Sequence, residues 1–212
     1  MIKALIFDLD GTIGDTLPLC IAAFRKSIEP LAGRAVSDEE IVATFGPSEE
    51  GTIRALIPDH YDEGVERYLA YYRELHPMCG LPFDGIAGIL EFARERGVRL
   101  AMVTGKGARS TEITLEAFGL RDAFEIVETG SPIGPRKAEG IRNVLDRFGI
   151  EPGEAVYIGD APSDIEASRK VGVAIVSAAW AGTADPAALR ALAPDELFED
   201  VAQLRQYLGR VC

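Results

Sequence analysis

Histidine, tryptophan and cysteine are scarce in this chain of 212 residues: two, one and three respectively. The cysteines, Cys20, Cys79 and Cys212, are odd in number and widely spaced, with no CxxC pair. A disulfide framework and a cysteine-built zinc site are thereby excluded, and free thiols fit a reducing compartment, so cytoplasm is expected. His60 and His76 have no partner at metal-ligand spacing and read as surface or interhelix residues. No apolar run is long enough to cross a bilayer, and the opening MIKALIFDLDG is too short and too acidic for a secretory leader. Positive charge is short as well. Against 34 Asp and Glu stand 22 Lys and Arg, a formal charge of −12. Nucleic acid or an anionic membrane needs a basic footprint, which is missing. An anionic substrate has to be met by a positive site built locally.

What the chain does have is alternation. The apolar runs KALIFDL, RLAMVTG (99–105), FEIVE (124–128), AVYIGD (155–160) and VAIVSAA (173–179) read as buried parallel strands. Between them lie helical patterns that stop on Gly97, Gly119, Gly149 and Gly172, the usual C-terminal terminator. The fold class expected is α/β: a parallel, Rossmann-like sheet with the first strand central and helices on both faces. DPAALRALA and DVAQLRQYLGRV read as closing helices.

One region breaks the pattern. From Asp15 to Pro82 there are helical patterns and no convincing strand, which predicts an all-helical insertion, 15–82, in a core formed by 1–14 and 83–212. Ser37 with Glu40 has the form of a capping box. Tyr68, Tyr71, Tyr72 and Leu75 form a helical stripe expected to be the insertion's own core. The acidic clusters SDEE and SEEG read as solvated first turns, where negative charge complements the helix dipole.

In open parallel sheets ligands bind beyond the carboxyl ends of the strands. Three strands here end there in polar residues: Asp8 to Thr12, Thr104 to Lys106, and Gly159 to Asp164. The helix containing PRKAEG adds Lys137 near the same edge. Carboxylates, a hydroxyl and an ammonium converging in one place suit a hard cation such as Mg²⁺ and a phosphate.

With those residues in place, the chain resembles the haloacid dehalogenase superfamily, in its phosphoglycolate-phosphatase-like branch with a helical cap. Asp8-Leu9-Asp10-Gly11-Thr12 matches the first motif, Thr104 the second, Lys137 the third, and Gly159-Asp160 with Asp164 the fourth. The resemblance implies a magnesium-dependent phosphatase acting on a small phosphorylated metabolite, phosphoglycolate-like or a sugar phosphate. It implies Asp8 as the nucleophile that becomes an aspartyl phosphate. Asp10 would be general acid and then general base. Mg²⁺ would lie between Asp8, the Asp10 carbonyl and Asp160, with Asp164 behind them or as a further ligand. Gly11, Thr104, Gly105, Lys106 and Lys137 would bind phosphate, and Lys137 would also offset charge in the transition state. Where relatives follow this lysine with proline, Ala138 stands here, and the preceding Arg136 is an alternative.

Other readings stay open beside these. Lys106 is either a solvated charge at a helix start or a substrate contact. Asp15 and Thr16 are expected to cap the first helix of the insertion rather than take part in chemistry. Specificity is expected in the Gly46-Pro47-Ser48 turn and in cations such as Arg25 or Arg54. Asp10 argues against a dehalogenase, whose leaving halide needs no proton. A phosphonatase would need an imine-forming lysine, and the insertion offers only Lys26. A sugar phosphomutase and a catalytically inert binding protein are the remaining alternatives, and the assembly is monomer or homodimer.

Overall fold

The computed structural model describes residues 1–212. Its strands are β1 (Ala4–Phe7), β2 (Arg99–Val103), β3 (Ile126–Glu128), β4 (Ala155–Gly159), β5 (Ala174–Ala178) and β6 (Glu196–Phe198). They pair in parallel in the order β3-β2-β1-β4-β5-β6, so β1 is interior. Four helices, α1 (Leu17–Ala32), α2 (Asp38–Val42), α3 (Glu49–Leu56) and α4 (Tyr61–Leu75), follow β1 with no strand among them. The rest, α5 (Ile86–Glu95), α6 (Ala108–Ala117), α7 (Lys137–Phe148), α8 (Pro162–Val171), α9 (Pro186–Ala191) and α10 (Val201–Val211), interleave with the later strands.

Alternate residues of each strand enter opposite layers, as the two-residue period of a pleated strand requires. Leu5, Phe7, Leu100, Met102, Val156 and Ile158 pack against α5, α6 and α10. Ala4, Ile6, Ala101, Val103, Ala155 and Tyr157 face α7, α8 and α9. Both faces are covered, which is why these strands read as continuous apolar runs. β6 has no counterpart in the sequence reading. It is three residues long, pairs only with β5, and lies in the polar stretch APDELFED, too short for a period to show.

The helices between β1 and α5 bury a third apolar cluster, which Ile113 of α6 joins. Phe24 of α1 packs tilted against Tyr68 of α4 at 4.4 Å between ring centroids, and Tyr68 stacks on Tyr72 at 5.6 Å. The tyrosine stripe is therefore core, as expected. Ser37 and Glu40 form the reciprocal capping box that opens α2. His76 is buried between elements, against Thr114 and the Phe118 ring, whereas His60 is exposed.

Candidate active site

The strand order reverses between β1 and β4, where a doubly wound sheet opens its binding crevice. Asp8 follows β1 there, its N–H donating to the Ile158 carbonyl of β4 at 2.9 Å. Asp160 follows β4, and Asp164 lies fully buried in the first turn of α8. The carboxylate oxygens of Asp8, Asp160 and Asp164 lie within 4.8 Å of one another. Two glycines make this crowding possible. A Cβ on Gly11, whose φ is +71°, would fall 2.1 Å from Asp160 Oδ2, and one on Gly159 would fall 2.5 Å from Asp164 Cγ.

Lys137, the first residue of α7, holds two of the three acids. Its Nζ lies 2.5 Å from Asp8 Oδ2 and 2.6 Å from Asp164 Oδ1. Arg136 turns away to Glu139 and Glu128, so lysine and not arginine enters the site. Asp164 also accepts the Ala161 N–H at 2.9 Å, and the Tyr157 hydroxyl shares its proton between Asp164 Oδ1 at 3.0 Å and the Val103 carbonyl at 2.7 Å. The oxygens of Asp164 are thus engaged by Lys137, the Tyr157 hydroxyl and the Ala161 N–H. Asp160 is freer, with only the Thr12 hydroxyl at 3.2 Å.

One ammonium does not balance three carboxylates. Burial pushes the Asp8 carboxyl up to about 6, with Lys137 opposing and Asp164 and Asp10 adding to the rise. Burial, then the charges of Asp8 and Asp164, holds Asp160 well above the usual carboxylate range. Lys137 stays charged because Asp164 and Asp8 outweigh its burial. Such a site favours a further cation, and its donors are all hard oxygens, so the residues present fit Mg²⁺. The Asp10 carbonyl accepts no hydrogen bond and is available to the same cation.

The Asp10 carboxylate points elsewhere, away from Asp8 and Asp160. It accepts from the Thr16 hydroxyl and from Lys106 Nζ at 3.2 Å, with Cys20 Sγ at 3.9 Å. Thr16 does occupy the N-cap position of α1, but its side chain makes no capping bond. Lys106 is not solvated either: only 4% exposed, it meets Asp10, Cys20 Sγ at 3.1 Å and Glu49 at 3.4 Å. Burial opposes its charge, yet Asp10 and the groups beside it hold it well above the usual lysine range. Burial pushes the Cys20 thiol the other way, up to about 12, so it stays neutral.

Glu49 is the clearest departure from the sequence reading. The solvated first turn expected at SEEG is buried here, with Glu49 accepting the Gly107 N–H at 2.5 Å and the Ser110 hydroxyl at the start of α6. Nothing local distinguishes it from Glu50; only the packing of α3 on α6 does. Gly11 is a second correction. Its N–H donates to the Gly14 carbonyl at 2.9 Å and is not offered to a phosphate. Thr104 is buried after β2, its Oγ1 accepting the Lys106 N–H at 3.3 Å, while the N–H groups of Asp10 and Gly105 have no acceptor in the chain.

These groups surround a cavity of about 260 Å³. Asp8, Thr104, Gly105, Lys137 and Asp160 line its sheet side, and Leu17, Phe24, Phe45, Pro47 and Glu49 line the side formed by the insertion. Gly46 and Pro47 reach the cavity, and Ser48, the third residue of that turn, does not line it. Arg25 and Arg54 do not: Arg25 pairs with Asp38, and Arg54 lies over the Tyr61 ring at 4.5 Å.

Residues 5–178 match the family model described as haloacid dehalogenase-like hydrolase. A phosphoglycolate phosphatase from Synechococcus elongatus is 31% identical over 207 residues, 96% of each chain. A pyrophosphatase from Bacillus pumilus is 29% identical over 210 residues, 98% of this chain and 97% of that protein. Among solved structures, a haloacid dehalogenase-like family hydrolase from Streptococcus pneumoniae superimposes with a TM-score of 0.78 at 26% identity, covering 98% of both chains. The family match takes in β1 to β5 and the helical insertion, and the chain belongs to the haloacid dehalogenase-like hydrolases, in their phosphoglycolate-phosphatase-like branch.

Proposed function

We propose that this hydrolase is a magnesium-dependent phosphatase that cleaves a small phosphomonoester through an aspartyl phosphate on Asp8. The observation that carries the reading is the separation of two neighbouring carboxylates. Asp8 sits in the acidic triad against Lys137, while Asp10, two residues on, is held by Thr16 and Lys106. Two acids placed in different surroundings can take different parts in one reaction.

In this reading Asp8 attacks phosphorus, and its oxygen forms the new P–O bond as the substrate's ester bond breaks. Asp10 gives its proton to the departing oxygen, then takes one from the water that hydrolyses the acyl phosphate, which regenerates Asp8. Lys137 keeps the Asp8 carboxylate aimed and neutralises charge on the transferring group. Thr104 and the free N–H groups of Asp10 and Gly105 would hold phosphate oxygens. Mg²⁺, held by Asp8, Asp160 and the Asp10 carbonyl, would supply the positive charge that lets a carboxylate and a phosphate approach.

Residues 15–82 would act as a cap over a catalytic core of 1–14 and 83–212, consistent with a cavity lined from both. Three free cysteines suit the cytoplasm. The test is release of phosphate from p-nitrophenyl phosphate, with and without Mg²⁺, and acid-quench mass spectrometry for a phosphorylated Asp8 peptide. Turnover that survives chelation, or a trapped phosphate on any other residue, would overturn the reading.

A further inference from the structure

The phosphate end of the cavity is matched by the proposed chemistry, but its far wall carries a charge that this chemistry does not use. Only two cationic side chains line the cavity, Lys106 and Lys137. Lys137 is taken by Asp8 and Asp164. Lys106 stands between Asp10 and Glu49. When Asp10 carries a proton as general acid, Glu49 still matches the Lys106 charge, so no cation is left over for the leaving group. Glu49 cannot simply swing aside. It is about nine-tenths buried and fixed by the Gly107 N–H and the Ser110 hydroxyl, with one oxygen toward Lys106. The remaining wall is neutral or apolar, formed by Leu17, Phe24, Phe45 and Pro47.

Glu49 thus occupies the one cation that could meet a second anion, and an anion left unpaired in a partly desolvated wall is costly, which is how specificity is often set. We propose that Glu49 sets the substrate class: a small phosphomonoester of a neutral or cationic alcohol, not one whose leaving group bears a second carboxylate or phosphate. This rests on the phosphatase reading above. Phosphoglycolate and diphosphate, the substrates in the names of two relatives, both carry a second anion and would be poor substrates here.

The test compares kcat/KM for glycerol phosphate, phosphoethanolamine and phosphoglycolate in the wild type and in Glu49→Gln, with Mg²⁺ present. The wild type should prefer the first two over phosphoglycolate by about tenfold or more, and Glu49→Gln should shrink that preference by about tenfold. A ratio between substrates is insensitive to the fraction of folded enzyme, and Glu49→Asp, which keeps the charge, should keep much of the discrimination. If the wild type prefers phosphoglycolate, or if the ratio is the same in Glu49→Gln, the proposal is overturned while the phosphatase reading stands. If p-nitrophenyl phosphate and all three esters go unhydrolysed, the phosphatase reading falls and takes the proposal with it.

Discussion

The Thr16 hydroxyl donates to Oδ1 of Asp10, so the residue that leads into the helical insertion holds a carboxylate at the end of the central strand. A hydrogen bond to a charged group contributes about 1.5–3 kcal/mol. Thr16→Val, which keeps the shape and deletes the hydroxyl, should therefore lower kcat about 10- to 100-fold with little change in KM. The loss should be larger for an alkyl phosphate than for an aryl phosphate, since only the former depends strongly on a proton from Asp10. Thr16→Ser should restore most of it. Equal losses on both substrates would remove Asp10 from the explanation.

Asp8 and Asp10 should fail in different ways. Asp8→Asn keeps the shape but removes the nucleophile, and single-turnover phosphoryl transfer should disappear while inorganic phosphate still binds. Loss of general acid–base catalysis costs about 10²–10⁴ in rate. Asp10→Asn should show that loss on an alkyl phosphate and a smaller one on an aryl phosphate in the first half-reaction. Normal turnover by Asp8→Asn would refute the role assigned to it.

Gly11→Ala should separate cation binding from the rest of the fold. The substitution meets both a left-handed φ of +71° and the Asp160 carboxylate, 2.1 Å from the new Cβ. Stability should fall by about 1–2 kcal/mol, because alanine resists that φ and Asp160 must move. Displacing a ligand's surroundings commonly weakens metal affinity about 10- to 100-fold, and calorimetric titration with Mg²⁺ should register a loss of that order. Unchanged affinity would mean that Asp160 is not a ligand.

His76 gives the apo protein a dependence on acid. Burial, and then the Lys106 charge, holds its imidazole below the usual range. The unfolded chain, with an ordinary histidine value of about 6.5, therefore takes up a proton first as pH falls. The stability tied to neutral His76 is present above that pH and is lost as pH drops through it. The urea midpoint should fall between pH 7.5 and 5.5, and less steeply in His76→Gln, which can still reach Thr114. Parallel slopes would assign the acid sensitivity to other groups.

Much of the sheet side of the site was legible in the sequence because strand ends are a small target. Asp8, Thr104 and Asp160 each follow an apolar run by one residue, and in a parallel sheet those positions meet at one edge. Lys137 and Asp164 came with them, as the first turns of the helices that follow. The insertion side was not legible. Thr16 read as a cap and Glu49 as a solvated charge, since helical periodicity says which face is apolar but not what that face is laid upon. Lys106 showed the same limit: its neighbours Asp10, Cys20 and Glu49 come from three separate segments. β6 escaped for a different reason, being held by β5 rather than by its own composition.

α6 belongs to both halves of the molecule. Its Leu115, with Phe118 just after its end, is in the apolar layer against the sheet, while its Ile113 is in the cluster of the insertion, and Thr114 between them meets the Tyr72 hydroxyl at 2.8 Å. Unfolding the insertion alone would leave Ile113 and Thr114 without their partners, and unfolding the sheet would take them from the insertion. The cost of either local event is thus charged to both cores, and calorimetry should record one cooperative transition in place of two. The same helix begins at the loop that carries Lys106, so any opening of the insertion pulls on a residue of the site itself.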